Sequence, residues 1–219
     1  MKICEGAIFD MDGTLVDSLV LWEIIWERLG KSCLGKDGFR PKTEDDRAVR
    51  TMTLKGAMDF VHEKYALGES GAALLKITNE IIADFYANEV EMKKGALAFL
   101  QALEKRGVKM CIASATDLGL VRLALAHCGI EKYFVAVLSC ADSGKGKDSP
   151  DIYERALAAL GTPLADTCVY EDSLIALKTA SEMGLQTVGI YDKNNYGHEE
   201  MKALTTAYIG EGETLEKLL

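Results

Sequence analysis

Positive charge is in short supply in this chain. Lys and Arg number 25 against 34 Asp and Glu, which leaves a formal charge of −9. A surface of that sign does not suit general binding to nucleic acid or anionic membrane, which needs a basic face. A local basic pocket for a small anion remains compatible with it. The six cysteines (Cys4, Cys33, Cys111, Cys128, Cys140 and Cys168) include no Cys-x-x-Cys pair. Zinc-ligand spacing is therefore missing, and buried free thiols in a reducing compartment are the simple expectation. No apolar run is long enough to span a bilayer, and Glu5 and Asp10 break up any signal-peptide core, so a cytoplasmic protein is expected. The three histidines, His62, His127 and His198, are isolated and read as surface or packing residues.

What the chain does contain is packed-protein material, 48% hydrophobic and 27% charged over 219 residues, enough for a core with a smaller insertion. Six short apolar stretches read as buried strands: 3–9, 108–113, 134–139, 167–171, 185–191 and 207–210. Helical patterns at 96–107, 118–129, 150–161 and 173–184 separate the later ones, with Ser149 and Pro150 opening the third. Strand and helix in alternation predict an α/β fold of parallel strands with crossover helices.

Residues 18–90 break that rhythm. Leu19, Trp22, Ile25, Trp26 and Leu29 fall on one helical face, and 54–68 and 72–90 are also helical. A polar stretch, 31–47, interrupts them. An all-helical domain at 18–90 is expected to be inserted after the first strand, between core segments 1–17 and 91–219. Asp17 and Ser18 are expected to cap its first helix.

In an open parallel sheet, ligands bind beyond the carboxyl ends of the strands. The first strand ends in Asp10 and Asp12, the second in Ser114, Ala115 and Thr116, and the fourth in Glu171, Asp172 and Ser173. A glycine-rich loop with Lys145 and Lys147 follows the third. Several carboxylates on one sheet edge repel one another and imply a cation. All-oxygen ligands suit Mg²⁺, which accepts phosphate oxygens as well. A hydroxyl and a lysine opposite would hold the remaining phosphate charge, leaving one carboxylate to attack phosphorus and another to move a proton.

These residues carry a resemblance. FDMDGTLVDS (9–18) resembles the first motif of the haloacid dehalogenase superfamily, Asp-x-Asp-Gly-Thr/Val. ASAT (113–116), KDSPDIY (147–153) and VYEDS (169–173) are similar to the second, third and fourth motifs, in order over almost the whole chain. The resemblance implies a Rossmann-like three-layer core with a helical cap of the subfamily I type, which closes over the site and selects the substrate. It makes Asp10 the nucleophile, and Asp12 the acid that protonates the leaving oxygen and then activates water. Mg²⁺ would be held by Asp10, the Asp12 backbone carbonyl, Asp172 and, directly or indirectly, Glu171. Thr14, Ser114, Ala115, Thr116 and Lys147 would line the phosphate site. Lys147 is favoured over Lys145 because it lies three residues before Pro150, although Asp148 replaces the family's usual proline. Trp22, Arg47, Arg50 and Lys55 are candidate cap residues for substrate contact, against the plainer reading of Trp22 as cap core and of the three basic residues as a solvated helix face.

An aspartate at position 12 points to phosphate esters rather than to dehalogenation. A phosphatase acting on a small phosphorylated metabolite, with no nucleic-acid or membrane partner and a monomer by default, is the expectation. A mutase resembling β-phosphoglucomutase is the alternative. Thr14 and Trp22 count against it, because those mutases commonly carry Val after the motif Gly and a His early in the cap. A partner-binding protein on the same scaffold is disfavoured because no motif residue is missing. Sugar phosphates, nucleoside monophosphates, phosphoglycolate and pyridoxal phosphate fit the motifs equally well.

Overall fold

A computed structural model describes residues 4–50 and 52–219. The chain divides into two compact units, one of residues 1–19 and 90–219 and one of residues 20–89.

The first unit is built on a six-stranded, all-parallel sheet: β1 (Gly6–Phe9), β2 (Lys109–Ser114), β3 (Phe134–Ser139), β4 (Thr167–Glu171), β5 (Gln186–Ile190) and β6 (Ala207–Ile209), in the order β3-β2-β1-β4-β5-β6. Its helices are α5 (Ala96–Lys105), α6 (Leu118–His127), α7 (Asp151–Leu160), α8 (Leu174–Glu182) and α9 (His198–Leu204). Side chains alternate across a strand, so neighbouring residues of β1 point to opposite faces. Ile8 packs with Ile152, Tyr153 and Ala156 of α7 and Ala180 of α8. Phe9 stacks on Tyr170 of β4 at 4.5 Å and meets Phe99 of α5 edge-on at 6.2 Å. Both faces are therefore covered, which is why β1 reads as an unbroken apolar run. Aromatic pairs of this kind add about 0.5–1.5 kcal/mol each beyond the area they bury.

The register positions the site. Phe9 pairs with Ile112 on one side and Tyr170 on the other. Asp10, the next residue, therefore leaves the sheet level with Glu171, and its amide donates to the Tyr170 carbonyl at 3.0 Å. The chain runs outward from β1 through β2 to β3, then returns to the other side of β1 at β4. That reversal opens a crevice beyond the carboxyl ends of β1 and β4, where ligands bind in folds of this class.

The second unit is all helical: α1 (Leu21–Leu34), α2 (Thr43–Val49), α3 (Leu54–Tyr65) and α4 (Gly71–Asn88). Thr53 and Ser70 cap α3 and α4 by accepting from the amides of Gly56 and Ala73. Trp26 is fully buried and packs against Trp22, with ring centroids 5.2 Å apart.

Several expectations are corrected. The polar stretch 31–47 is not one long interruption: α1 continues to Leu34 and α2 begins at Thr43. Acidic residues in the first turn favour α2 through its exposed amides. Tertiary bonds then fix it: Trp26 Nε1 donates to Asp46 at 2.6 Å, and Lys64 and Tyr65 both donate to Asp45. Asp17 and Ser18 do not cap α1, whose N-cap is Val20 with no side-chain bond, because Ser18 is committed elsewhere. Pro150, not Ser149, stands at the N-cap of α7; its carbonyl accepts from Tyr153 and Glu154. β1 is described from Gly6, and Ile3 of the expected strand lies outside the described residues. Helix α9 has no counterpart among the expected elements.

Candidate active site

Each motif residue is delivered by the end of a strand. Asp10 follows β1, Ser114 closes β2, Glu171 closes β4 and Asp172 follows it, while Lys147 arrives on the loop between β3 and α7. Together with Asp12, Thr116, Leu19, Ile175 and Asn195 they line a cavity of about 440 Å³.

The carboxylates of Asp10, Glu171 and Asp172 converge, each offering an oxygen, with those oxygens all within 4.8 Å of one another. All three residues are buried, at 6%, 2% and 3% exposed. The cation against them is Lys147, which donates to Asp10 Oδ1 and, at 2.7 Å, to Glu171 Oε2. Burial, reinforced by the Glu171 charge, pushes Asp10 well above the usual carboxylate range. Burial likewise pushes Glu171 up to about 7, and burial with the Asp10 charge pushes Asp172 up to about 7. Burial alone would lower Lys147, but Asp10 and Glu171 outweigh it and hold the ammonium protonated. Three buried acids, each pushed towards its neutral form, crowd one ammonium, and a further cation at the cluster would relieve that. An all-oxygen donor set of this kind fits a hard divalent cation.

Asp12 is held differently. Its carboxylate accepts from the Ser18 hydroxyl at 2.5 Å on Oδ1 and from the Thr116 hydroxyl at 2.7 Å on Oδ2. Its carboxylate is not among the three that converge. Thr116 is held in turn: its amide donates to Ser114 Oγ at 3.0 Å, and its carbonyl accepts from Ser139 Oγ at 2.7 Å. Thr14 is fully buried and donates to Asp172 Oδ1 at 3.3 Å. The resulting arrangement sets a nucleophile-sized carboxylate beside a second, separately oriented one, with hydroxyl groups and an ammonium around them. Attack at phosphorus with proton transfer to a leaving oxygen needs those parts.

Lys145 is exposed and 3.5 Å from Asp151, a loop charge outside the cavity lining. The four cap residues lie in the helical unit. Arg50 pairs there with Asp46 and Glu23 and lies 6.0 Å from the Trp22 ring; Lys55 pairs with Asp59, and Arg47 is exposed. His62 meets the Leu67 carbonyl and His198 the Tyr208 hydroxyl, which are packing roles. Ser18, which bonds Asp12, and Asn195, which lines the cavity, are not among the residues expected at the site from sequence. Ser18 read as a helix cap because its type and position suit one. Asn195 follows the fifth strand, where the strand-end rule applies equally.

Comparison with known proteins identifies the family of the chain. The family model for haloacid dehalogenase-like hydrolases matches residues 4–184. A phosphorylated carbohydrates phosphatase of Thermotoga maritima is 25% identical over 216 residues, covering 98% of each chain. A phosphoglycolate phosphatase of Rhodospirillum rubrum is 28% identical over 194 residues, 84% of this chain and 78% of its own. Among solved structures, that of a putative beta-phosphoglucomutase from Thermotoga maritima superposes with a TM-score of 0.84 at 23% identity, over 98% of both chains.

Proposed function

This chain belongs to the haloacid dehalogenase-like hydrolases, and from that premise we propose that it is a Mg²⁺-dependent phosphatase of small phosphorylated metabolites, working through an aspartyl phosphate. The observation that carries the reading is the buried convergence of Asp10, Glu171 and Asp172 opposite Lys147.

In this reading an Asp10 oxygen attacks phosphorus and the ester P–O bond breaks. The leaving oxygen takes a proton from Asp12, which must enter that step protonated. Water then attacks the phosphoryl group on Asp10. Asp12, now a carboxylate, takes the water proton, and the P–O bond to Asp10 breaks to release phosphate and restore the nucleophile. Ser18 and Thr116 aim Asp12 through their hydroxyl groups. Ser114 and Lys147 are positioned to hold phosphoryl oxygens. Asp10, Glu171, Asp172 and the Asp12 carbonyl would hold Mg²⁺, which when bound offsets phosphate charge in the transition state.

The names of two relatives, a phosphorylated carbohydrates phosphatase and a phosphoglycolate phosphatase, set sugar phosphates and phosphoglycolate first among candidate substrates. Among the described residues, no helix is long and apolar enough to cross a membrane. The test is phosphate release from a panel of phosphorylated metabolites with and without Mg²⁺, comparing the natural chain with Asp10→Asn. Metal-dependent release lost in Asp10→Asn is the expected result. Release that survives the substitution overturns Asp10 as nucleophile. Consumption of β-glucose 1-phosphate without phosphate release assigns the chain to the mutases instead.

A further inference from the structure

The cluster of three acids is held unequally. Lys147 bonds to Asp10 and Glu171. Among the described residues no lysine bonds Asp172; it is gripped by the amide of Asn195. Nδ2 of Asn195 donates to the Asp172 backbone carbonyl at 2.8 Å and to its Oδ2 at 2.9 Å. One NH₂ group thus ties the end of the Asp172 side chain to its own main chain, which fixes both of its torsions. The Thr14 hydroxyl, 3.3 Å from Oδ1, is the weaker hold on the other side.

The Asn195 amide is itself oriented. Its Oδ1 accepts from the Tyr196 amide at 3.0 Å, so the NH₂ end faces Asp172. Its own backbone amide donates to the Asp192 carbonyl at 3.0 Å. Asp192, 3% exposed, accepts from the Asn194 amide on one oxygen and pairs with Lys93 on the other. The Lys93 amide in turn donates to the Leu15 carbonyl at 2.8 Å, in the turn that carries Asp12 and Thr14. The loop after β5 is therefore a braced arm rather than a loose connection.

We propose that Asn195 is a positioning residue that presents the Asp172 carboxylate to a divalent cation. The chemistry favours an amide for this task. A lysine there would compete with the cation for Asp172, whereas an amide orients the carboxylate and leaves its charge intact. The inference rests on the proposed role of Asp172 as a metal-holding carboxylate.

The test uses the full chain with Asn195→Ala and Asn195→Leu, two variants that remove the donor with different residual volume. Free Mn²⁺ is read by electron paramagnetic resonance in the absence of substrate, and Mg²⁺ activation of phosphate release is read separately. Loss of an oriented partner of a metal-holding group should weaken Mn²⁺ binding about 10- to 100-fold and raise the Mg²⁺ activation midpoint in parallel. At saturating Mg²⁺, kcat should stay within about threefold of the natural chain, a split that general damage to the fold does not produce. Melting curves identify a variant that fails to fold, and the other variant then carries the measurement. Mn²⁺ affinity within about twofold of the natural chain in a folded variant overturns the role of Asn195. Failure of the natural chain itself to bind Mn²⁺ overturns the metal site, and the inference with it.

Discussion

Lys147 and Glu171 form a 2.7 Å ion pair in which neither side chain is more than a tenth exposed, and the same ammonium also bonds Asp10. The lysine is therefore shared between the proposed nucleophile and an acid of the proposed metal cluster. Replacing it takes from Asp10 and Glu171 the ammonium that they share. Lys147→Met should lower kcat for phosphate release by about 10²–10³, the usual effect of removing one preorganised charge donor. Its metal-free form should take up protons at those acids rather than unfold. Steady-state kinetics and a melting curve check both halves. A change in kcat under about threefold would remove Lys147 from the machinery.

Gly13 explains the glycine in Asp-x-Asp-Gly. Its φ is +78°, and a Cβ there would stand 2.3 Å from Asp172 Oδ2. A left-handed backbone costs a residue with a side chain about 1–2 kcal/mol. The contact with Asp172 comes on top, because that carboxylate is held by Thr14 and Asn195 and cannot retreat freely. Gly13→Ala should lower stability by about 1–3 kcal/mol in denaturant melts. It should also weaken Mg²⁺ activation more strongly than a substitution at the open, equally left-handed Gly107, where a Cβ meets nothing.

Much of this arrangement is legible in the sequence because buried parallel strands are short apolar runs with abrupt polar ends. Asp10, Ser114, Glu171 and Asp172 sit where such runs stop, and parallel pairing brings all those ends to one edge. What escaped is what depends on partners distant in sequence. Helix α2 has a polar sequence, and its fixing contacts come from Trp26, Lys64 and Tyr65. Ser18 has the composition of a helix cap, yet its hydroxyl serves Asp12. Asn195 lies in a run of polar loop residues that local pattern does not distinguish; only the fold shows which of them meets Asp172.

Metal addition should be visible without any substrate. A cation bound only by the folded chain stabilises it by RT ln(1 + [L]/Kd), about 2.7 kcal/mol at a hundredfold excess over Kd. For a chain of this size that is about 5–10 °C in melting temperature, reversed by a chelator. Asp172→Asn removes a costly buried acid, so its metal-free form should melt no lower than the natural chain. The same variant should gain little from Mg²⁺. An undiminished gain in Asp172→Asn would place the cation elsewhere.

The helical unit carries its own acid dependence through Asp45. The side chain is 6% exposed and accepts from the Lys64 ammonium and the Tyr65 hydroxyl. Those bonds to the charged form, Lys64 first and then Tyr65, hold the Asp45 carboxyl below its ordinary range. In the unfolded chain the group titrates at its ordinary value. Between the two values the unfolded chain binds more protons than the folded one. The stabilising contribution is therefore fully present above the ordinary carboxylate range and is lost as pH falls through the lower, folded value. Asp45→Asn keeps the size of the side chain but cannot form the ion pair. It should melt below the natural chain at pH 7, and the gap should narrow steadily as pH is taken from about 5 towards 2. Melting followed by circular dichroism for both proteins across that range measures the gap. A gap independent of pH would mean that Asp45 acts by shape alone, and that its charge contributes nothing to holding α2 against α3.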